Sequence, residues 1–158
     1  MVTLALRRGF TMLEVMIVVT IIAILAAVVV PRFGGLTEEA RSSAAVSAVS
    51  GVRTSISAFR TRRILTGDTP FPTLAELTTE GVVMQQGLPA NPYTGVRGVR
   101  AVSRAEADAR AVASSAQYGW CYFVDNDDEP PRAILYLNSE EETRVPNESG
   151  GYVTANRL

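Results

Sequence analysis

Arg7-Arg8-Gly9-Phe10-Thr11-Met12-Leu13-Glu14-Val15-Met16-Ile17-Val18-Val19-Thr20-Ile21-Ile22-Ala23-Ile24-Leu25-Ala26-Ala27-Val28-Val29-Val30-Pro31 is the stretch on which the fold turns. Between Phe10 and Val30 the only charged residue is Glu14. At 1.5 Å per residue a helix of that length spans about 32 Å, close to the roughly 30 Å hydrocarbon core of a bilayer. The segment can therefore cross a membrane, and the carboxylate inside it demands a reason. A charge at the centre of a membrane helix costs about 2.5–3.5 kcal/mol on insertion scales, and less near an end. Glu14 is thus a functional candidate in search of a partner.

Three explanations compete for the segment. A secretory signal peptide has a basic start, a shorter apolar run and a small-x-small cleavage site behind it. Here the run is longer, Glu14 sits near its beginning, and no good Ala-x-Ala follows. An uncleaved signal anchor accounts for the length but not for Glu14 or for the Gly9-Phe10 junction. The third explanation is a precursor cut on the cytoplasmic side, before the apolar run, so that the hydrophobic helix stays on the mature protein. Arg7 and Arg8 precede the span, whereas Arg32 and Arg41 beyond it are mixed with Glu38 and Glu39. That asymmetry favours a cytoplasmic N-terminus and a C-terminal domain outside.

Composition narrows the remainder. The chain has 158 residues, which leaves room for one small domain after the helix. Its formal net charge of −1 disfavours a general nucleic-acid role. All 15 basic residues are Arg, with no Lys and no His, so a P-loop and the commonest general base and metal ligand are both missing. One cysteine, Cys121, permits no intrachain disulfide. No polar constellation suited to catalysis or to a cofactor stands out, and the expected role is structural rather than enzymatic.

The run from Arg7 to Val18 resembles the prepilin motif of type IV pilins and type II secretion pseudopilins. In that family a short basic leader ends in Gly, a dedicated peptidase cuts after it, and the new N-terminal residue, usually Phe, is N-methylated. The resemblance implies cleavage between Gly9 and Phe10, methylation of Phe10, an assembly role for Glu14 and a helix-kinking role for Pro31. It also implies a homo-oligomeric filament, a prepilin peptidase and N-methyltransferase, an inner-membrane assembly platform and a lipid bilayer as partners. Thr11-Met12-Leu13 departs mildly from the common Thr-Leu-Ile or Thr-Leu-Leu, an apolar exchange without chemical consequence. Cleavage would create an α-amino group on Phe10, largely protonated near neutral pH. Glu14 has two candidate partners for that charge: the amine of its own chain, four residues away at a helix N-terminus, or the amine of a neighbouring subunit, which the family resemblance favours.

Beyond the span, Pro31 and then Gly34-Gly35 predict a kink or local melting. Thr37 is a candidate N-cap, with Glu38 and Glu39 in the first turn. Leu36, Ala40, Ala44, Ala45, Val49, Val52, Ile56 and Phe59 make an apolar stripe at helical spacing, with Ser42, Ser43 and Ser47 mostly off it. The expected order is a leader (1–9), a membrane or filament-core helix (10–30), an amphipathic extension (31–63) and a globular head (64–158). Arg53, Arg60, Arg62 and Arg63 read better as basic residues near a helix C-terminus than as a DNA-binding patch.

In the head, Thr73-x-x-Glu76 is a capping box ahead of a helix of about two turns. Leu88-Pro89-x-Asn91-Pro92-x-Thr94-Gly95 is similar to the Leu-Pro-x-Asp-Pro-Trp loop of major pseudopilins, with Asn91 in place of Asp and Tyr93 in place of Trp. It reads as a rigid connector with Tyr93 packed inward. Residues 96–117 are ambiguous: Ser103-x-x-Glu106, supported by Glu106 to Arg110, suits a short helix, and a surface loop fits as well. Residues 118–124 and 132–137 are strand formers joined by an acidic, proline-containing turn, which predicts an antiparallel β-hairpin over 118–137. Alternation puts Trp120, Tyr122 and Val124 on one face and Cys121 and Phe123 on the other. Asp125, Asp127, Asp128 and Glu129 raise calcium as an alternative to a solvated turn, although the EF-hand spacing is missing. A short last strand is expected at 151–154. The fold class is α+β, a long N-terminal helix packed on a small antiparallel sheet. The function that follows is a filament subunit, either a type II secretion pseudopilin or a type IV pilin for adhesion, motility or DNA uptake. A membrane-anchored binding protein is the alternative from a different class. The missing two-cysteine C-terminal loop leans towards the pseudopilin branch.

Overall fold

The computed structural model describes residues 10–113 and 116–158, with the main chain alone for 30–34. Helix α1, Met12–Thr66, dominates it. The helix runs through Pro31 and Gly34 without interruption, so the local melting expected there does not occur. Thr37 accordingly lies inside α1 and starts no separate helix. The chain divides into two compact units, residues 1–37 and 38–158.

In the first unit, residues 12–29 have a mean hydropathy of 2.9 and bury nothing within the chain. Their main-chain groups are satisfied by the helix itself, the condition for a segment that meets hydrocarbon rather than water. Thr20, the polar exception besides Glu14, donates its Oγ1 hydrogen to the Met16 carbonyl at 2.8 Å.

In the second unit the rest of α1 packs on a mixed sheet. Buried along it are Ser42, Ala45, Val49, Val52, Ile56 and Phe59, in alternating steps of three and four. That spacing lines up a single face of an α-helix. Leu36, Ala40 and Ala44 are exposed, so the buried stripe is narrower than the apolar pattern suggests, and Ser42 belongs to it. Its hydroxyl accepts a 2.7 Å hydrogen bond from the Arg144 amide, which makes a polar residue tolerable there.

Sheet A has the order β1-β2-β3, built from Val99–Ala101, Trp120–Asp125 and Arg132–Leu137. The β2–β3 pair is the expected antiparallel hairpin, with Trp120 opposite Leu137 and Asp125 opposite Arg132. Strand β1 joins β2 in parallel, so the sheet is mixed rather than purely antiparallel. This pairing brings two main chains close at glycines: a Cβ on Gly119 would lie 2.0 Å from the Val96 carbonyl oxygen, and one on Gly98 2.2 Å from that of Gln117. Trp120, Tyr122, Leu135 and Leu137 join the α1 stripe in the main core. On the opposite face, Cys121 and Tyr136 pack with Val102 and Ala107 beneath helix α3, Arg104–Ala109. The alternation read from 120–124 therefore holds. A second sheet pairs β4, Glu142–Pro146, with β5, Tyr152–Thr154, and a 3-10 turn, Ala155–Arg157, follows.

Candidate assembly determinants

Phe10 precedes α1 and is 79% exposed. Thr11 closes the helix start: its Oγ1 accepts a hydrogen bond from the Glu14 amide at 3.2 Å. Helix termini leave their first amides unpaired, and a threonine three residues back supplies one acceptor. Glu14 then stands in the first turn, where the positive end of the helix dipole favours a carboxylate. Thr11-Met12-Leu13-Glu14 is the Thr-x-x-Glu pattern of a capping box, a signal legible in the sequence that identifies Thr11 as a second determinant of this end. Gly9 and the leader lie outside the described residues, as does the side chain of Pro31. The described large apolar side chains that follow Glu14 along the first unit are exposed, from 46% at Val29 to 62% at Met16. An apolar surface of that extent marks a membrane or protein contact.

In the head, the Leu88-to-Gly95 connector is held by Asn91, which is fully buried. Its Nδ2 donates to the Gly119 carbonyl at 2.8 Å, and its Oδ1 accepts from the Tyr93 amide at 2.9 Å. The Trp120 indole donates to the Pro89 carbonyl at 2.8 Å, so the same loop is anchored both to Gly119 and to Trp120 at the start of β2. Two further asparagines fasten segments in this way. Asn126 exchanges hydrogen bonds with both main-chain groups of Phe71, each at 2.9 Å. Asn138 donates to the Ala113 and Tyr118 carbonyls and accepts from the Ala113 amide. Nothing in the sequence around Asn126 or Asn138 announces these roles.

The other charged candidates resolve into local structure. Asp125 Oδ1 accepts from the amides of Asp127 and Asp128, and Asp128 pairs with Arg104 at 2.7 Å. Among the described residues no three Asp, Glu, Cys or His side chains converge as a metal site would require. Arg63 pairs with Glu76 and Asp68, Arg60 lies over the Phe71 ring, and Arg53 donates to the main-chain oxygens of Leu135 and Leu158. Helix α2, Leu74–Thr78, has the full capping box between Thr73 and Glu76, though it is shorter than two turns. Helix α3 has the same box between Ser103 and Glu106, and there the ion partner of Glu106 is Arg100, not Arg110. Burial pushes the Cys121 thiol up from its ordinary value, consistent with an inert packing residue.

Comparison with known proteins bears on the N-terminal end first. Residues 1–30 match the family described as the prokaryotic N-terminal methylation motif. A fimbrial protein of Pseudomonas aeruginosa is 46% identical over 48 residues, 30% of this chain and 31% of that protein. Type II secretion system core protein G of Escherichia coli K12 is 33% identical over 99 residues, covering 55% of this chain and 67% of that protein. The chain belongs to the type IV pilin and pseudopilin family. A fimbrial protein of Moraxella nonliquefaciens, 43% identical over 54 residues, extends the same similarity. The matched part spans about a third of the length of the fimbrial relatives. No solved structure matches the chain significantly. Members of this family are structural subunits, and the exposed apolar helix is consistent with membrane anchoring.

Proposed function

We propose that the protein is a type II secretion pseudopilin, a non-enzymatic subunit that polymerises into a pilus-like filament. The observation that carries this reading is the reach of the similarity to the Escherichia coli secretion protein. Residues 1–66 are less than half of the chain, so a match over 55% of it takes in part of the head as well. The fimbrial matches cover 30–34% of the chain and favour a second reading, a type IV pilin for adhesion, motility or DNA uptake. Both readings share one mechanism. The precursor enters the inner membrane with its N-terminus cytoplasmic and its head on the periplasmic side. A prepilin peptidase and N-methyltransferase cuts between Gly9 and Phe10 and methylates Phe10.

An assembly platform then adds the subunit to the growing filament. Glu14 neutralises the Phe10 ammonium of a neighbouring subunit; in a medium of low dielectric, docking that leaves neither charge alone selects a single register. Pro31 gives α1 a site where it can bend on leaving the bilayer. Mass spectrometry of the membrane-extracted protein tests the reading, with a mature N-terminus at methylated Phe10 expected. An intact Met1, or a cut after Ala27, would overturn it. Neighbouring genes separate the two branches: a secretion channel supports the pseudopilin, a retraction motor the pilin.

A further inference from the structure

A cavity of about 560 Å³ opens in the head between α1 and β3. Its apolar wall includes Ile56, Phe71 and Leu135, and three arginines, Arg53, Arg110 and Arg157, line it as well. None of the described lining residues is acidic. Arg53 directs one guanidinium nitrogen at the Leu135 carbonyl and at an oxygen of Leu158, whereas Arg110 and Arg157 form no ion pair among the described residues. Arg110 lies over the Tyr136 ring, and its Nη1 is sealed from water without a hydrogen-bond partner. Burial foremost lowers the pKa of both Arg53 and Arg110 from the ordinary arginine value; repulsion from Arg110 adds to it at Arg53, and repulsion from Arg132 and Arg157 at Arg110. Arginines without an ion pair beside an apolar wall ask for an anion from outside, and guanidinium groups suit a carboxylate in particular.

The same head carries the complementary charge elsewhere. Glu140, Glu141 and Glu142 are all exposed, and among the described residues none forms an ion pair. With Glu38 they line a second, polar depression. Glu38 and Arg53 are 15 positions apart on α1, about 22 Å along the helix axis. Two different, complementary patches displaced along one axis define a heterologous contact, which propagates as an open array when its rotation does not close.

We propose that the Arg53, Arg110 and Arg157 cleft receives the acidic segment 140–142 of a second copy of this chain. The inference rests on the filament reading above and adds to it a contact between heads, separate from the Glu14 contact in the membrane. Its main effect is on register, because exposed ion pairs add little affinity whereas like charges brought together exclude wrong alignments.

The test uses the full chain in a host with its peptidase and assembly machinery, scored by filament yield. Arg157 is exposed, so Arg157→Glu leaves the core intact. Yield should fall at least about tenfold in this variant. Adding Glu141→Arg in the same chain should restore most of it, and cysteines at 157 and 141 should cross-link neighbouring subunits in wild-type-like filaments. Cys121 is fully buried and does not compete. Undiminished yield from Arg157→Glu would overturn this contact while leaving the filament reading intact. A loss that Glu141→Arg does not restore, with no cross-link, would overturn the acidic segment as occupant and point to a small anion. A wild-type chain that forms no filament would overturn the filament reading and this contact together.

Discussion

Two stretches of the same helix treat their apolar residues in opposite ways. Between Met12 and Val29 none of them is buried; between Ala45 and Phe59 the core positions are 0–7% exposed. Helix propensity does not make the difference, since both stretches are helical and both are rich in Ala and Val. Pattern does. In the first stretch apolar residues occupy every side, so no face is left for water and the segment needs an apolar surrounding. In the second they recur at steps of three and four, and Ser47, Ser50 and Ser57 between them are exposed. The head supplies its own environment, whereas the N-terminal stretch must find one in lipid or in other subunits.

The sharpest way to break that comparison is to alter the one charge in the first stretch. Glu14→Ala should be inserted, cut and methylated as usual, yet filament yield should drop by at least about a hundredfold. Leaving one member of a buried pair alone costs about 3–5 kcal/mol, and each 1.4 kcal/mol is a factor of ten. Glu14→Gln separates charge from shape and should fail in the same way. Normal filaments from either variant, counted after shearing, would remove the intersubunit role and leave Glu14 as a residue of the helix start.

Next in size is a pair of truncations chosen from the two stretches of the comparison. Leu137 is fully buried against the α1 stripe, and Leu137→Ala should cost about 2–5 kcal/mol of head stability. Ile22 is 59% exposed, and Ile22→Ala should change head stability by no more than about 0.5 kcal/mol. Trp120, the single tryptophan, reports on the core, so urea titration of its fluorescence in detergent measures both. Equal losses would mean that the first stretch contributes to the stability of the head after all.

Legibility followed the same divide. The N-terminal stretch could be read as a helix long and apolar enough to cross a membrane, because one unbroken apolar run has few interpretations. The hairpin, its two faces and both capping boxes were also legible, since each depends on neighbours a few positions apart. Strand β1 was not, because Val99–Ala101 is three residues long and is a strand only through its parallel pairing with β2. Strand β4 escaped for a similar reason: Glu142–Pro146 contains a proline and two charges, and it is defined by β5. Ser42 was assigned to the wrong face because its burial depends on an amide 102 residues away. Arg100 could not be named as the partner of Glu106 before β1 placed it there. Long-range pairing, not local preference, decided each of these.

Glu106 offers the smallest effect and the cleanest check that local chemistry in the head works by itself. Its carboxylate accepts hydrogen bonds from the Ser103 amide and hydroxyl, each at 2.8 Å, and from Arg100 at 2.6 Å. These contacts, the Ser103 amide foremost, hold its pKa down at about 2, below the ordinary 4.5. A group whose pKa is lower when folded stabilises the fold fully above its unfolded value, and that contribution is lost as pH falls towards the folded one. Wild-type head stability should therefore decline between about pH 4.5 and 2, with Glu76, lowered chiefly by the Thr73 amide, contributing to the same slope. Glu106→Gln should melt at a lower temperature than wild type above pH 4.5, and the gap should narrow steadily as pH drops to 2. Melting temperatures recorded across that range isolate the ionised carboxylate, because a defect of helix shape alone would keep the gap constant.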